Sequence, residues 1–564
     1  DDQTVTETYT TGCMGANAFR APCTKLTTYT FNRTNGFLER VQTVNPSNSS
    51  EYLRTTWTPD TEGNPAIEVR SGTGIVSSTS FRTDRLFQHG LVRKSSRVGV
   101  PGAWASFDVD RDPVTGLITA SRDPNGPETR FSYDSLGRLT SVSPPSAVST
   151  TYAYLEYQPG SRPPFVLSKQ TGARPDSTDD GVPAVGSGSV EAYQYDGFGR
   201  IRRQIRRLPN RLAWNPTTGP WSYFAFQESR YDAAGNLAFL SEWVPCESSP
   251  SDETDLTACF ESTAPAGTTW SNFDLQGRAR SLQLADGSVT TKYFADWEFG
   301  IPDSDTAEIT VIKDIPTRTL ISGSRKDVFG RLLAVAESAE SAYITDRAAW
   351  DDFEFPFVSR YHYNTFGQMT AARVLESLGH SQKRTFTYNS LGLLTQEKTP
   401  ERSDDGNVDG TGYTTYGSYD ALGNVLQKSL DGLPYTYAYD PLGRLQTARS
   451  NGTLYLQNTW DAPSSSGATN YGRLTTRLGT NPSLSQNITE SFEYDPESGR
   501  MSGKSTTFGS GLLSTVTERW HYNDLGLLAT YNHPRSTGLF SVATTFVSGL
   551  PVTVSANGLP VVLA

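Results

Sequence analysis

Large and small side chains alternate along much of the chain. Tyr435, Tyr437 and Tyr439 fall on one side of an extended backbone, Thr436 and Ala438 on the other, which is the two-residue period of a β-strand. The run stops at Asp440-Pro441-Leu442-Gly443 and restarts with Arg444-Leu445-Gln446. An Asp or Asn side chain accepts a bond from the backbone N–H two residues on and starts a turn. Gly then supplies a positive φ without a Cβ clash. The segment therefore reads as strand, tight turn, returning strand.

The same signature, an aromatic, then Asp or Asn, then two residues, then Gly, recurs along the chain. It stands at Tyr133-Asp134 to Gly137, Tyr195-Asp196 to Gly199, Tyr231-Asp232 to Gly235 and Phe273-Asp274 to Gly277. It continues at Tyr363-Asn364 to Gly367, Tyr388-Asn389 to Gly392, Tyr419-Asp420 to Gly423, Tyr439-Asp440 to Gly443 and Tyr522-Asn523 to Gly526. Lys326-Asp327 to Gly330 lacks only the aromatic; Phe31-Asn32 to Gly36, Arg111-Asp112 to Gly116 and Tyr494-Asp495 to Gly499 are one residue longer. The residue before the Gly is Leu136, Phe198, Phe329, Phe366, Leu391, Leu422, Leu442 or Leu525 in eight of the ten regular copies. A large apolar side chain at a turn tip is expected to be buried against a neighbouring unit.

Spacing decides between architectures. Successive glycines lie as little as 20 residues apart (Gly423 to Gly443) and as much as 62 (Gly137 to Gly199). A propeller needs near-constant blades of ~40–50 residues, so a ring of equal blades is disfavoured. A continuous sheet absorbs the variation as longer strands or as protruding loops, for which 175–188, 244–267 and 399–412 are the candidates. The expected fold is all-β.

Composition narrows the function. Of 564 residues, 36% are hydrophobic and 19% charged, both below the usual shares of ~45–50% and ~25%. The 27 Tyr, 26 Phe and 10 Trp exclude a disordered chain. A net charge of −11 argues against nucleic acid as the main partner. No apolar run is long enough for a transmembrane helix. The first residues, Asp-Asp-Gln-Thr, carry no signal peptide and suit either a mature end or a cut from a longer chain.

The four cysteines form two local couples, Cys13 with Cys23 and Cys246 with Cys259. The expectation is two disulfides and an oxidising compartment, each bridge closing a short loop at roughly 2–3 kcal/mol on the chain-entropy model. The five histidines are scattered, and none lies at ligand spacing from a cysteine. Sequons stand at Asn32, Asn48, Asn451 and Asn487.

No serine-nucleophile elbow, phosphate loop or His-Glu-x-x-His motif is present, and the turn aspartates have a sufficient structural role. The chain is expected to have no catalytic residue and no cofactor. Asp405, Asn407 and Asp409 match the first positions of a calcium loop, but Tyr416 stands where the twelfth-position acid belongs. They remain weak calcium candidates beside the simpler reading of an acidic surface loop. Asp108, Asp110 and Asp112 alternate but run into a turn, and read as strand. Arg200, Arg202, Arg203, Arg206, Arg207 and Arg211 form a basic cluster. It reads first as solvated strand surface with local salt pairing, with Arg203 and Arg207 on the face opposite Arg200, Arg202 and Arg206. The sharper alternative is a patch for an acidic cargo, lipid head group or glycan.

Tyr-Asp-x-x-Gly-Arg-Leu, nearly unaltered at 133–139 and 439–445, resembles the YD repeat of Rhs proteins. That family includes insecticidal toxin-complex B and C components, wall-associated bacterial proteins and teneurins. The resemblance covers roughly residues 27 to 540. It implies hairpins wound as one spiral β-sheet into a hollow shell, which encloses a toxic polypeptide in some members and scaffolds adhesion in others. Toxin-type members close the shell with an Asp-Pro-x-Gly-rich core segment and a self-cleavage aspartate, which these residues do not match; Leu559–Ala564 reads as a strand stopped midway.

The division expected is 1–120 (degenerate repeats with Cys13–Cys23), 121–540 (repeat shell) and 541–564 (further strands, continuing elsewhere). The expected function is a non-catalytic, secreted or surface-exposed shell around a polypeptide cargo. Its partners are that cargo, other protein subunits, and a receptor or glycan. The alternative is an adhesin or filament-forming surface protein without cargo. A carbohydrate-active β protein would need a convergent acidic pair that the sequence does not display.

Overall fold

Alternating strands and glycine-closed turns leave little choice but hairpins. The computed structural model describes residues 2–561 apart from 73–80, 99–103, 156–164, 171–189, 214–220, 247–255, 261–265, 296–304, 339–356, 401–411, 463–469, 510–514 and breaks of one to four residues elsewhere. Among the described residues there are forty-one strands, and the fold is all-β.

Each strand pairs antiparallel with its neighbour in sequence almost throughout. In the hairpin of Leu433–Tyr439 and Leu445–Ser450, Tyr435 faces Ser450 and Tyr437 faces Ala448. The register slips between Ala438 and Tyr439, the bulge that a Gly-closed turn imposes. Trp221–Tyr231 divides its pairing, with Leu237–Ser241 along one part and Val244–Pro245 along the other.

Two compact units interleave along the chain and cut across the divisions at 120 and 540. The first comprises residues 1–108 and 270–452. Within it two ladders far apart in sequence meet: Arg97 Nη1 donates to the carbonyl of Ala421 at 3.3 Å. Ala421, in a repeat turn, is buried, and Arg97 also lies over the Phe81 ring at 5.6 Å. The second comprises residues 109–269 and 453–564. Its last strands, Gly538–Val547, Leu550–Ala556 and Leu559–Val561, continue the antiparallel pairing.

The sheet is thinly covered. A sheet packed on a core alternates buried with exposed positions, yet Leu139–Ser143 is half-buried at every position. Nineteen hydrophobic residues are buried among those described. Nine of these form one cluster: Val190, Ala192, Ile205, Phe224, Phe226, Cys246, Leu256, Cys259 and Phe260. Beneath that cluster the alternation sharpens, with Val190, Ala192 and Gln194 buried.

Candidate functional site

The repeat turn is built the same way at the described regular copies. At 133–139, the Asp134 N–H donates to the Arg138 carbonyl at 2.9 Å and the Gly137 N–H to the Asp134 carbonyl at 3.0 Å. Asp134 Oδ1 accepts the backbone N–H groups of Leu136 and Arg138, both at 2.9 Å. Its Oδ2 takes Arg138 Nε at 2.7 Å. Asp196 (with Tyr195 and Gly199), Asp274, Asp327 and Asp440 (with Tyr439 and Gly443) repeat the arrangement, at 2.6–2.8 Å to the arginine Nε. Where Arg is absent the partner changes consistently. Asn236 and Asn424 Nδ2 donate to Asp232 and Asp420, both at 2.9 Å. Asn364, an amide in place of the acid, donates instead to Gln368 Oε1 at 2.6 Å. Among the described residues thirteen turns close with a Gly N–H on an Asp or Asn carbonyl.

Six of the described repeats are also clasped to the one before them by a tyrosine hydroxyl. Tyr133 donates its hydroxyl to the Ile118 carbonyl at 2.8 Å, Tyr231 to Ile201 at 3.1 Å and Tyr363 to Leu332 at 2.9 Å. Tyr419 donates to the Leu394 carbonyl, Tyr494 to Leu474 at 2.8 Å and Tyr522 to Met501 at 2.9 Å. The acceptor is always two residues past the preceding repeat's glycine. The residue between them stacks on the same tyrosine: Arg200 lies 4.1 Å from the Tyr231 ring, Arg331 5.0 Å from Tyr363 and Arg473 5.1 Å from Tyr494. A Cβ on Gly235 would stand 3.3 Å from Arg200 Nη1 at a φ of +92°, so glycine both makes the turn and leaves room for the neighbour.

This geometry corrects one expectation. Leu136 (73% exposed), Phe198 (86%) and Phe329 (47%) stand in water, while Phe366, Leu391, Leu422 and Leu442 are half-buried and Leu525 lies outside the described residues. The contact between repeats is carried after the glycine by the stacked arginine and the tyrosine hydroxyl, while the residue before the glycine is exposed in some copies and half-buried in others, with Phe198 and Phe329 lying under the same arginines at 5.1 and 4.9 Å.

The electrostatics follow the bonds. The backbone N–H of Arg138 holds the Asp134 carboxyl below the usual range, and the Asn236 amide does the same for Asp232. Burial, reinforced by Glu397, pushes Tyr419 up to about 12, so this clasp keeps its proton at neutral pH.

The basic cluster is not a solvated patch. Arg203 and Arg207 are buried on the face opposite Arg202, which is exposed. Arg203 lies 3.5 Å from buried Glu228 and donates to the Cys259 carbonyl at 2.5 Å. Arg206 stacks over Trp243 at 4.1 Å, Arg200 pairs with Asp196, and the side chain of Arg211 lies outside the described residues. The buried face of the strand is what brings the alternate arginines inward.

The sulfurs of Cys246 and Cys259 stand in a disulfide whose Cα atoms are 4.7 Å apart. Cys13 and Cys23 lie on the paired strands Asp2–Gly15 and Ala18–Phe31, but their side chains, like Asp405, Asn407, Asp409 and the turn at 523–526, are outside the described residues. Asp108 and Asp110 pair with Lys94 and Arg122. No group of three His, Cys, Asp or Glu side chains suited to a metal occurs among the described residues, and no helix there is long and apolar enough to cross a membrane.

Sequence reading missed several nodes. Asp60 to Gly63 forms the same turn after Trp57-Thr58-Pro59, where proline replaces the aromatic. Asp461 joins Arg473 at 3.0 Å across an insertion; the signal was Trp460-Asp461 followed by Gly472-Arg473-Leu474. Tyr154 has no Asp after it, yet donates to the Leu139 carbonyl at 2.9 Å beneath Arg138.

Residues 114–149 match the RHS repeat family, a span holding one complete clasp, Tyr133 on Ile118. Comparison with curated proteins gives no match. Among solved structures, TcdB2-TccC3 without its hypervariable C-terminal region is similar at 12% identity and a TM-score of 0.49, over 95% of this chain and 38% of that one. TcdB2-TccC3 itself gives 11% and 0.46, over 99% and 41%. The Photorhabdus luminescens Tc holotoxin pore gives 10% and 0.45, over 99% and 38%. The chain thus spans about two fifths of the length of these structures. Residues 114–149 thus match the RHS repeat family, and the backbone turn within that span is rebuilt at the other described copies.

Proposed function

We propose that this chain is a non-catalytic wall segment of an Rhs-type shell, secreted or surface-exposed, whose wound β-sheet surrounds a polypeptide belonging to a longer parent protein. The observation that carries this reading is the clasp. Tyrosine, arginine and aspartate are spent on joining hairpin to hairpin, which is the requirement of a self-supporting wall rather than of a reacting site. The half-buried positions along strands such as Leu139–Ser143 suit a wall with water on both sides. Because the wall closes edge to edge, it avoids exposing long unpaired strands.

The test is protease protection. The intact reading frame containing this chain is produced and challenged with a non-specific protease. A region outside the wall segment should survive at least tenfold longer than the same region expressed alone. Digestion of that region at the same rate in both forms contradicts enclosure; if the particles also join end to end, the cargo-free filament reading replaces it.

A further inference from the structure

Besides the repeat turns, the chain reverses at two-residue tips. Asp431-Gly432, Asn451-Gly452 and Asn557-Gly558 each hold both residues at positive φ, 47–50° at the first and 79–88° at the glycine, the tight hairpin turn that Asn-Gly and Asp-Gly favour. At two of these tips the side chain is tied down. The Asp431 N–H donates to the Tyr413 carbonyl at 3.2 Å, and Asp431 Oδ1 accepts the Tyr413 N–H at 3.0 Å. Asn557 does the same with Ser541, at 2.8 and 2.9 Å. At the third tip the Asn451 N–H donates to the Pro434 carbonyl at 2.8 Å. Proline has no N–H to return, so the Asn451 amide lacks the bond that fixes its counterparts.

That freedom has a chemical consequence. An asparagine followed by glycine is open to attack from within, because the glycine nitrogen can close a five-membered ring on the side-chain carbonyl carbon and no Cβ shields it. Three described Asn-Gly pairs, at 35, 451 and 557, are exposed, and Asn125-Gly126 lies outside the described residues. Exposure therefore does not choose among the three; restraint does. Asn35 Oδ1 accepts the Phe37 N–H at 3.0 Å, and the attacking N–H of Gly36 is itself committed to the Asn32 carbonyl at 2.9 Å. Asn557 Oδ1 is held by Ser541. Asn451 faces a proline, and its tip stands in open space, where a Cβ on Gly452 would meet nothing within 4 Å.

We propose that Asn451 is a site of spontaneous deamidation, which turns an uncharged hairpin tip into a carboxylate as the protein ages. The deprotonated Gly452 nitrogen attacks Asn451 Cγ. The Cγ–Nδ2 bond breaks, the leaving nitrogen takes up a proton and departs as ammonia, and a cyclic succinimide remains. Water then adds to one of the two ring carbonyl carbons, and the ring opens there. Opening at Cγ gives aspartate; opening at the main-chain carbon gives isoaspartate, with one more carbon in the main chain. Each event adds one negative charge and needs no reactant but water. The proposal does not depend on whether the wall holds a cargo.

The experiment is peptide mapping of the full chain after several weeks at neutral pH and body temperature. The protein is made in a host without N-glycosylation, because Asn451 also heads a sequon. Asn451 should gain aspartate and isoaspartate at least about fivefold faster than Asn557 and Asn35 in the folded chain, and the three rates should converge in denaturant. Pro434→Ser places opposite Asn451 the residue type that ties Asn557, and should slow the loss of Asn451 at least about threefold. The Asn557 rate of that variant reports on its fold: if Asn557 accelerates, the fold is lost and the folded and denatured rates of the unaltered chain decide alone. A smaller ratio in the folded chain, a ratio that persists in denaturant, or a folded Pro434→Ser variant with Asn451 lost as fast as before would each overturn the proposal.

Discussion

At the scale of single residues, the structure assigns a separable job to each letter of the signature. Tyr231→Phe removes one hydroxyl bond to the Ile201 carbonyl while keeping the ring under Arg200. It should cost about 1 kcal/mol in denaturant unfolding. In Gly235→Ala the residue must hold a φ of +92° beside Arg200, and the loss should reach about 1–2 kcal/mol. Gly197→Ala, where nothing lies within 4 Å, is the control and should be neutral. The aspartates add a pH dependence. Asp134, Asp232 and Asp112 have carboxyls held below their ordinary value by turn hydrogen bonds. Their contribution is complete above the unfolded value of about 4 and is lost as pH falls through the folded one. Exchange at 134–138 and 232–236 should therefore accelerate as pH falls below about 4, relative to the amide-closed turns at Asn364 and Asn389. Equal acceleration at all four would show that the carboxylates do not carry it. These roles were legible because the turn is local chemistry: Asp, two residues, Gly dictates its own backbone. The tyrosine's acceptor was not, since it lies in another repeat at a variable distance along the chain.

At the scale of elements, strands and turns were readable, but which side chains pack was not. Alternation placed Arg203 and Arg207 on one face without revealing that this face is covered, because the cover comes from Cys246, Leu256, Cys259 and Phe260, distant in sequence. The same blindness put Leu136 and Phe198 in a contact that their neighbours across the turn make instead. Substitution separates the two environments. Ile205→Ala, in a fully buried position, should destabilise by about 2–5 kcal/mol. Leu136→Ser, 73% exposed, should stay within about 0.5 kcal/mol. Comparable losses from both would mean that the turn tips are packed after all. Tyr154 makes a related point: lacking an aspartate, it was invisible as a repeat, yet it keeps the hydroxyl bond and the arginine stack. The clasp is therefore conserved within the molecule beyond the turn that announces it in the sequence.

At the scale of the whole molecule, the account is that strand pairing and clasps together make a wall. Within one unit, the bond from Arg97 to Ala421 joins residues more than three hundred positions apart, so ladders remote in sequence touch as a wound sheet requires. The most direct test is an experimental structure at side-chain resolution. The account predicts the hydroxyls of Tyr133, Tyr154, Tyr231, Tyr363, Tyr494 and Tyr522 on the backbone carbonyls two residues past the preceding glycines, in a sheet curving round an open interior. Hairpins gathered into separate domains around filled apolar cores, with those hydroxyls turned elsewhere, would contradict it.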